Sequence, residues 1–204
     1  MPGQKADVGE RREQILAAAF DVASRQGLDG LTIRRVAAAA GLSHGLVHFH
    51  FKAKADLLSA LLDWVLDTTS AFEVGESIAQ IDAPMERLLA LLRQEMERLT
   101  RDRRRIHVFF DFWLMGTRHA RIRVRMRREL ERYRAAFRPM VEEVLRAEPD
   151  RFDGVTADGL SAAVVAFIKG SAVQSVIDPK EFDVAQFTAA AQALLAPFEP
   201  APAH

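Results

Sequence analysis

Two histidines, His44 and His48, stand four residues apart, the spacing at which successive turns of a helix can bring two imidazoles to one metal ion. His50 is close by. Nothing completes such a site, since no carboxylate joins the pair and the H-E-x-x-H arrangement of zinc hydrolases is missing. The chain has no cysteine, which removes disulfides, thiolate nucleophiles and cysteine-based zinc sites together. No phosphate-cradling glycine loop and no nucleophile–base motif is found either. The residues therefore call for no enzyme, no cofactor and no metal, and the chemistry on offer is recognition by imidazoles, helix ends and cations.

Cations concentrate between Arg101 and Arg138, where thirteen arginines stand against four acids. Such density reads first as a nucleic-acid surface. Yet Ile122, Met126, Leu130, Tyr133, Phe137, Met140, Val141 and Val144 run through it at helical spacing, so most of these arginines read as the solvated face of an amphipathic helix. Arg101, Arg103, Arg104 and Arg105, at the start of a helix, can add field toward DNA only if that end lies near it. Over all 204 residues, 28 Lys+Arg balance 28 Asp+Glu, so any electrostatic attraction is local.

The elements that position these groups are helices. Apolar positions recur at three- and four-residue spacing almost throughout, with no run of alternating β-branched residues, and the fold class is all-α, about nine helices. The spacing predicts helices over about 9–26, 33–40, 43–50 and from Lys54 toward Phe72, then 84–100, 104–117, 120–147, 157–177 and 183–197. Gly27 and Gly41 serve as stops, Thr32 and Ser43 as N-caps. A small-residue connection over 75–84 separates short helices from longer ones. Residues 9–56 are assigned to one domain and 57–204 to a larger one, with the tail after residue 197 frayed. No run reaches the roughly eighteen apolar residues of a membrane helix, and MPGQKADVGE lacks a signal core, so a cytoplasmic protein without membrane contact is expected.

One segment orders these elements for recognition. LTIRRVAAAAGLSHGLVHFHFKAKADLL places two two-turn helices in succession across Gly41-Leu42-Ser43, the spacing of a helix-turn-helix. Leu42, Val47 and Phe51 can anchor the second helix on Val36 and Ala37, leaving His44, Gly45, Leu46, His48 and Phe49 outward. A DNA major groove about 12 Å wide admits one such helix, whose first residues reach the base edges. An ordinary helical hairpin is the competing interpretation.

Residues 11–62, opening with RREQILAAAFDVASRQGLDGLTIRRVAAAAGLSHGLVHFHFKAKADLL, resemble the DNA-binding domain of the tetracycline-repressor (TetR) family in unbroken register. The resemblance implies a homodimeric repressor that reads a palindromic double-stranded operator with its N-terminal three-helix domain. It also implies that the larger C-terminal domain dimerises and binds a small effector. Carried over by position, Arg34 lies within reach of a base or phosphate and His44, Gly45, Leu46 and His48 face the groove. Ser43 doubles as cap and backbone contact, Phe49 and His50 touch sugar and phosphate, and Lys54 binds phosphate; a packed His50 is the alternative. Three departures stand out. His48 replaces the usual tyrosine with an imidazole whose charge changes between about pH 5 and 8, Leu46 replaces a small polar residue, and Ala53 replaces a capping side chain. Asp56 can offset that last loss through the helix dipole. A helical ligand-binding protein without specific DNA binding is the alternative function.

In the second half, IHVFFDFWLM sets aromatics around nearly the whole circumference of one helix, which must then be enclosed. Plain core is one interpretation. A pocket wall is the other, made of Phe109, Phe110, Asp111, Phe112 and Trp113 with Trp64, Phe72, Met85, Leu88, Leu92, Met96 and Phe167. Asp111 among aromatics either pairs with a nearby arginine, the favoured option, or meets a cationic ligand. FDFW, the arginine-rich helix and AFIKGSAVQSVIDP resemble the choline-responsive (BetI-like) branch, which implies choline or another quaternary amine; Lys169 departs from it, standing where that branch has an acid. The helix with Ala162, Ala163, Ala166, Gly170, Ala172 and Val173 and the last helix, with Phe187, Ala190, Ala191, Leu194 and Leu195, are assigned to a four-helix dimer interface, burial within one chain being the alternative.

Overall fold

The computed structural model describes residues 7–69 and 73–195, which hold ten helices and no strand. Phe72 and the tail beyond 195 lie outside the described residues. The helices are α1 (Val8–Gln26), α2 (Ile33–Ala40), α3 (His44–His50), α4 (Lys54–Thr69), α5 (Glu76–Ala79), α6 (Pro84–Arg101), α7 (Arg103–Arg118), α8 (Ala120–Ala147), α9 (Ala157–Ile177) and α10 (Val184–Leu195). The one unforeseen element is α5, a single turn too short for apolar spacing to reveal. The chain packs as two compact units, divided after residue 71, with residues 107–127 returning to the first.

In the first unit, local chemistry sets each helix boundary. Asp7 and Glu10 form a reciprocal capping box at the start of α1, and Glu10 accepts the Asp7 N–H at 3.2 Å. α1 ends where Gly27 takes φ 67°. Thr32 Oγ1 accepts the Arg35 N–H at 3.2 Å to open α2, and Gly41, left-handed at φ 65°, closes it. Two residues later Ser43 Oγ accepts the Leu46 N–H at 3.2 Å and starts α3. Ala53 contributes no capping oxygen to α4; Asp56 compensates by accepting the Ala53 N–H at 3.0 Å, a specific hydrogen bond in addition to any dipole effect.

These helices bury one continuous core. Ile15, Ala19 and Ala23 of α1, Val36 of α2, Val47 and Phe51 around α3, and Leu57, Leu61 and Val65 of α4 are all buried in it. Arg12 lays its guanidinium 4.7 Å from the centre of the Phe51 ring. Val108, Phe109 and Phe112 of α7 and Ile122 and Met126 of α8 belong to the same cluster. Full enclosure of α7 is not observed, because Leu114 is 59% exposed and Phe110 and Trp113 are half-buried. Its apolar positions at 108, 109 and 112 form one buried stripe, the ordinary pattern of an amphipathic helix.

The second unit centres on α6, the later part of α8, α9 and α10. Met85, Leu88, Leu92, Met96, Tyr133, Phe137, Val141, Val164 and Ile168 are buried there. The arginines of α8 do lie mainly on its exposed side, opposite the buried stripe. Arg101, Arg103 and Arg105 are engaged locally, with Glu97, the Pro179 carbonyl and Asp102 respectively. α9 is long and apolar enough to cross a membrane by composition, but Leu160, Val164, Val165, Ile168 and Ala172 are buried as in a core helix.

A polar knot sits within this core. Glu95, wholly buried, accepts hydrogen bonds from Arg98 Nε at 2.9 Å and Nη2 at 2.7 Å, and from Tyr133 Oη at 2.5 Å. The charge is thereby paired and its lone pairs are used, as a buried carboxylate requires. Lys169 Nζ lies 4.4 Å from the Tyr133 ring centre. Burial first, then the Arg98 charge, lower its pKa to about 8, against the opposing pull of Glu95 and Glu129.

This packing sets two measurable outcomes. Ser43→Ala removes the α3 cap and costs about 1 kcal/mol, whereas Ser43→Gly costs a few tenths, read as urea midpoint shifts at constant slope. Between pH 7.5 and 9.5 the unfolded chain holds its Lys169 proton more tightly than the folded chain does, so stability rises with pH, by about 2 kcal/mol from this group. In Lys169→Met that part of the rise disappears, which denaturation at several pH values measures.

Candidate nucleic-acid interface

Val47 and Phe51 point inward from α3 and Leu42 packs half-buried beneath its start, so the helix is locked in rotation about its axis. The opposite side is consequently open to solvent. His44, Gly45, His48 and Phe49 are exposed, Phe49 to 65%, while Leu46 and His50 are half-buried. The His44 and His48 rings stack at 6.2 Å between centroids with 29° between planes. Among the described residues no group of three or more metal-ligating side chains exists, so the histidine pair stands as two ligands only.

Exposed cations start the helices on either side of α3 in the chain. Arg34 is exposed in the first turn of α2, and Lys54 is exposed at the first position of α4. Lys54 Nζ donates to the Asp29 carbonyl at 3.2 Å, and Arg35 Nη1 to the Gly30 carbonyl at 2.8 Å, so the turn between α1 and α2 is tied to α4 and to α2. Ser43 Oγ is engaged in its cap. Lys52 was not singled out from sequence, yet its Nζ lies 5.3 Å from the Phe49 ring centre, placing one more cation beside α3. The basic phrase HFKAK carries that signal. His50 meets Phe49 edge-on at 5.4 Å, midway between the exposed and the packed alternatives. The arrangement offers an outward helix with exposed imidazoles and a phenyl edge, with Lys52 beside that edge, and among the described residues Ser43 alone on this face is engaged in a hydrogen bond.

The residues expected to meet an effector divide between the two units. Trp64, Phe109, Phe110, Asp111, Phe112 and Trp113 belong to the first; Met85, Leu88, Leu92, Met96 and Phe167 to the second. In the first, Phe109, Phe110 and Trp113 make mutual ring contacts of 5.3 to 6.0 Å, and Trp64 packs on Phe20 while its indole N–H donates to Glu13 at 2.9 Å. In the second, Phe167 meets Phe187 edge-on at 6.3 Å. The arginine partner favoured for Asp111 is not observed. Asp111 instead faces the turn after α1, near Gly27, and its Oδ2 is buried without a hydrogen bond. Burial first, reinforced by the charge of Asp29, raises its pKa; His107 and the Leu28 N–H act in the opposite direction.

Comparison with known proteins agrees with this geometry. Residues 15–61 match the family described as bacterial regulatory proteins, tetR family, and residues 84–198, more than half of the chain, match the BetI-type transcriptional repressor C-terminal family. The HTH-type transcriptional regulator HbdR of Aromatoleum sp. (strain CIB) is 41% identical over 81 residues, 40% of this chain and 35% of its own. The matched stretch spans between about a third and a half of the length of such curated relatives. Among solved structures, a transcriptional regulator from Rhodococcus sp. Rha1 superposes with TM-score 0.71 at 22% identity, covering 90% of this chain and 93% of that one. A regulator from Saccharomonospora viridis in complex with choline gives 0.69 at 21%, covering 92% and 96%. These structural likenesses show a shared fold; with the two family matches and an outward α3, the chain belongs to the TetR family of bacterial transcriptional regulators, with a BetI-type C-terminal domain.

Proposed function

We propose that the chain is a cytoplasmic repressor that binds a palindromic double-stranded operator as a homodimer and responds to a small effector. The observation that carries this is the outward, exposed face of α3. His44, Gly45 and His48 are the base-facing positions, with Leu46, half-buried, limited to apolar contact such as a thymine methyl. Arg34, Phe49, His50 and Lys54 contact the backbone, Lys54 by exchanging the Asp29 carbonyl for a phosphate. Ser43 holds the helix start that aims them. Residues 9–56 form the reading domain in this assignment and 57–204 the effector and dimerisation domain; packing alone divides the chain elsewhere, since α4 and residues 107–127 share the first core. The protein acts by binding and performs no covalent chemistry.

Dimerisation is assigned to α9 and α10, which carry large apolar side chains in water: Ile177 is 79% and Leu194 74% exposed. Two reading heads about 34 Å apart then enter successive major grooves on one face of DNA. An effector lowers affinity by favouring another separation. Among the expected effector residues, Trp64, Phe110, Asp111, Trp113 and Phe167 retain an accessible edge and carry this role; Met85, Leu88, Met96, Phe109 and Phe112 are buried in their own units and back them. The choline held by the Saccharomonospora viridis regulator supports a cationic effector.

Binding to DNA from upstream of the chain's own gene tests the reading. Arg34→Ala and Lys54→Ala each weaken it about tenfold and lower the salt slope by about one for each phosphate interaction removed, while sedimentation shows an unchanged dimer. Ile177→Glu with Leu194→Glu yields monomers, and operator affinity collapses with them. Parental DNA binding by both basic-residue variants overturns the contact assignment.

A further inference from the structure

The two imidazoles on the outer face of α3 have only each other for company. His44 and His48 are both exposed, and their rings stack at 6.2 Å between centroids with 29° between planes. Among the described residues neither side chain has a hydrogen-bond or ion-pair partner. α2, the helix packed most closely on α3, carries the cations Arg34 and Arg35 and no acid; α3 itself has no acid, and Lys52 follows it. On α1 and α4 the acids Glu10, Glu13, Asp56 and Asp63 are engaged with the Asp7 N–H, the Trp64 indole, the Ala53 N–H and Arg125 respectively. Protonating the pair in the free protein thus sets like charges side by side, with no carboxylate on α2 or α3 to offset them.

A neutral imidazole has one donor and one acceptor and can meet either kind of base edge, whereas an imidazolium has two donors and can meet acceptors only. In the major groove guanine presents two acceptors, N7 and O6, and no donor. The phosphates of a duplex supply the negative field that the protein's own acids do not. We propose that His44 and His48 read guanines in the imidazolium form, so that each reading head takes up protons from solvent as it enters the groove. This deepens the operator-binding reading and rests on it. The ring separation of 6.2 Å exceeds the roughly 3.4 Å rise per base pair, so the two rings address different base pairs. Because the complex holds the protons more tightly than the free protein, affinity is highest on the acid side of the imidazole range and is lost as pH rises through it.

Calorimetric titration of the full chain with DNA from upstream of its own gene, near neutral pH in two buffers of different ionisation enthalpy at one ionic strength, counts the protons taken up. The parent takes up about one proton or more per chain. His44→Gln with His48→Gln removes most of this uptake, His50 supplying any remainder. Each single substitution removes about half of it and serves if the double variant binds too weakly to titrate. Between about pH 6 and pH 8 the parent's affinity falls about tenfold or more, and the double variant's profile is nearly flat. Replacing half-site guanines by 7-deazaguanine, which lacks the N7 acceptor, weakens the parent about tenfold at the acid end and less at the alkaline end. No proton uptake by the parent, the same uptake in the variants, or parental affinity on the modified DNA overturns the proposal. A parent that binds no DNA at any pH strikes the proposed function instead, so the two failures are distinguishable.

Discussion

The rotational setting of α3 governs everything this chain can do with DNA. A seven-residue helix has little intrinsic stability in water, and it exists because neighbours hold it. Gly41 reverses the backbone in the left-handed region, Ser43 satisfies an orphan amide at the helix start, and Val47 and Phe51 insert into a core shared with α1, α2 and α4. With the inner positions fixed, the 3.6-residue period sends His44 and His48 to the opposite side. A residue inserted between Gly41 and Val47 would rotate the imidazoles toward the core and the apolar anchors into solvent.

The C-terminal unit solves a different problem. Its core accepts a carboxylate, a guanidinium, a phenol and an ammonium, and it remains a core because Glu95 is bonded by both Arg98 and Tyr133. Lys169 is the least comfortable member, with its ammonium held near a tyrosine face and close to another cation. Asp111 in the first unit is the counterpart, an acid whose desolvation is not matched by an arginine. Both groups cost folding energy as ions, because burial disfavours the charged form of each.

How much was legible in the sequence depends on whether a feature is local or tertiary. Long amphipathic helices are written in local spacing, and caps and stops in single residues, so Thr32, Ser43, Gly27 and Gly41 disclosed the boundaries around the reading helix. The outward set on α3 came from the same period. Less accessible were features made by residues distant in sequence. Glu95 and Tyr133 meet across 38 positions, and neither helix announces the other. Asp111 lies among arginines in sequence, yet the helix turns it toward Gly27, away from them. The return of residues 107–127 to the first core depends on tertiary packing, and apolar periodicity says only that α7 has a buried stripe. Lys52 was visible as a charge but not as a partner of Phe49, because it lies past the end of α3, where helical spacing no longer tells which side chains meet.

The account stands on two copies of α3 entering the major groove on one face of a duplex. Methylation interference at guanine N7, an atom open only to that groove, reads this directly on an operator fragment. Two patches of interference about 10 base pairs apart, related by the symmetry of the site, are the result this account predicts. A single patch, or interference confined to adenine N3 in the minor groove, would contradict it.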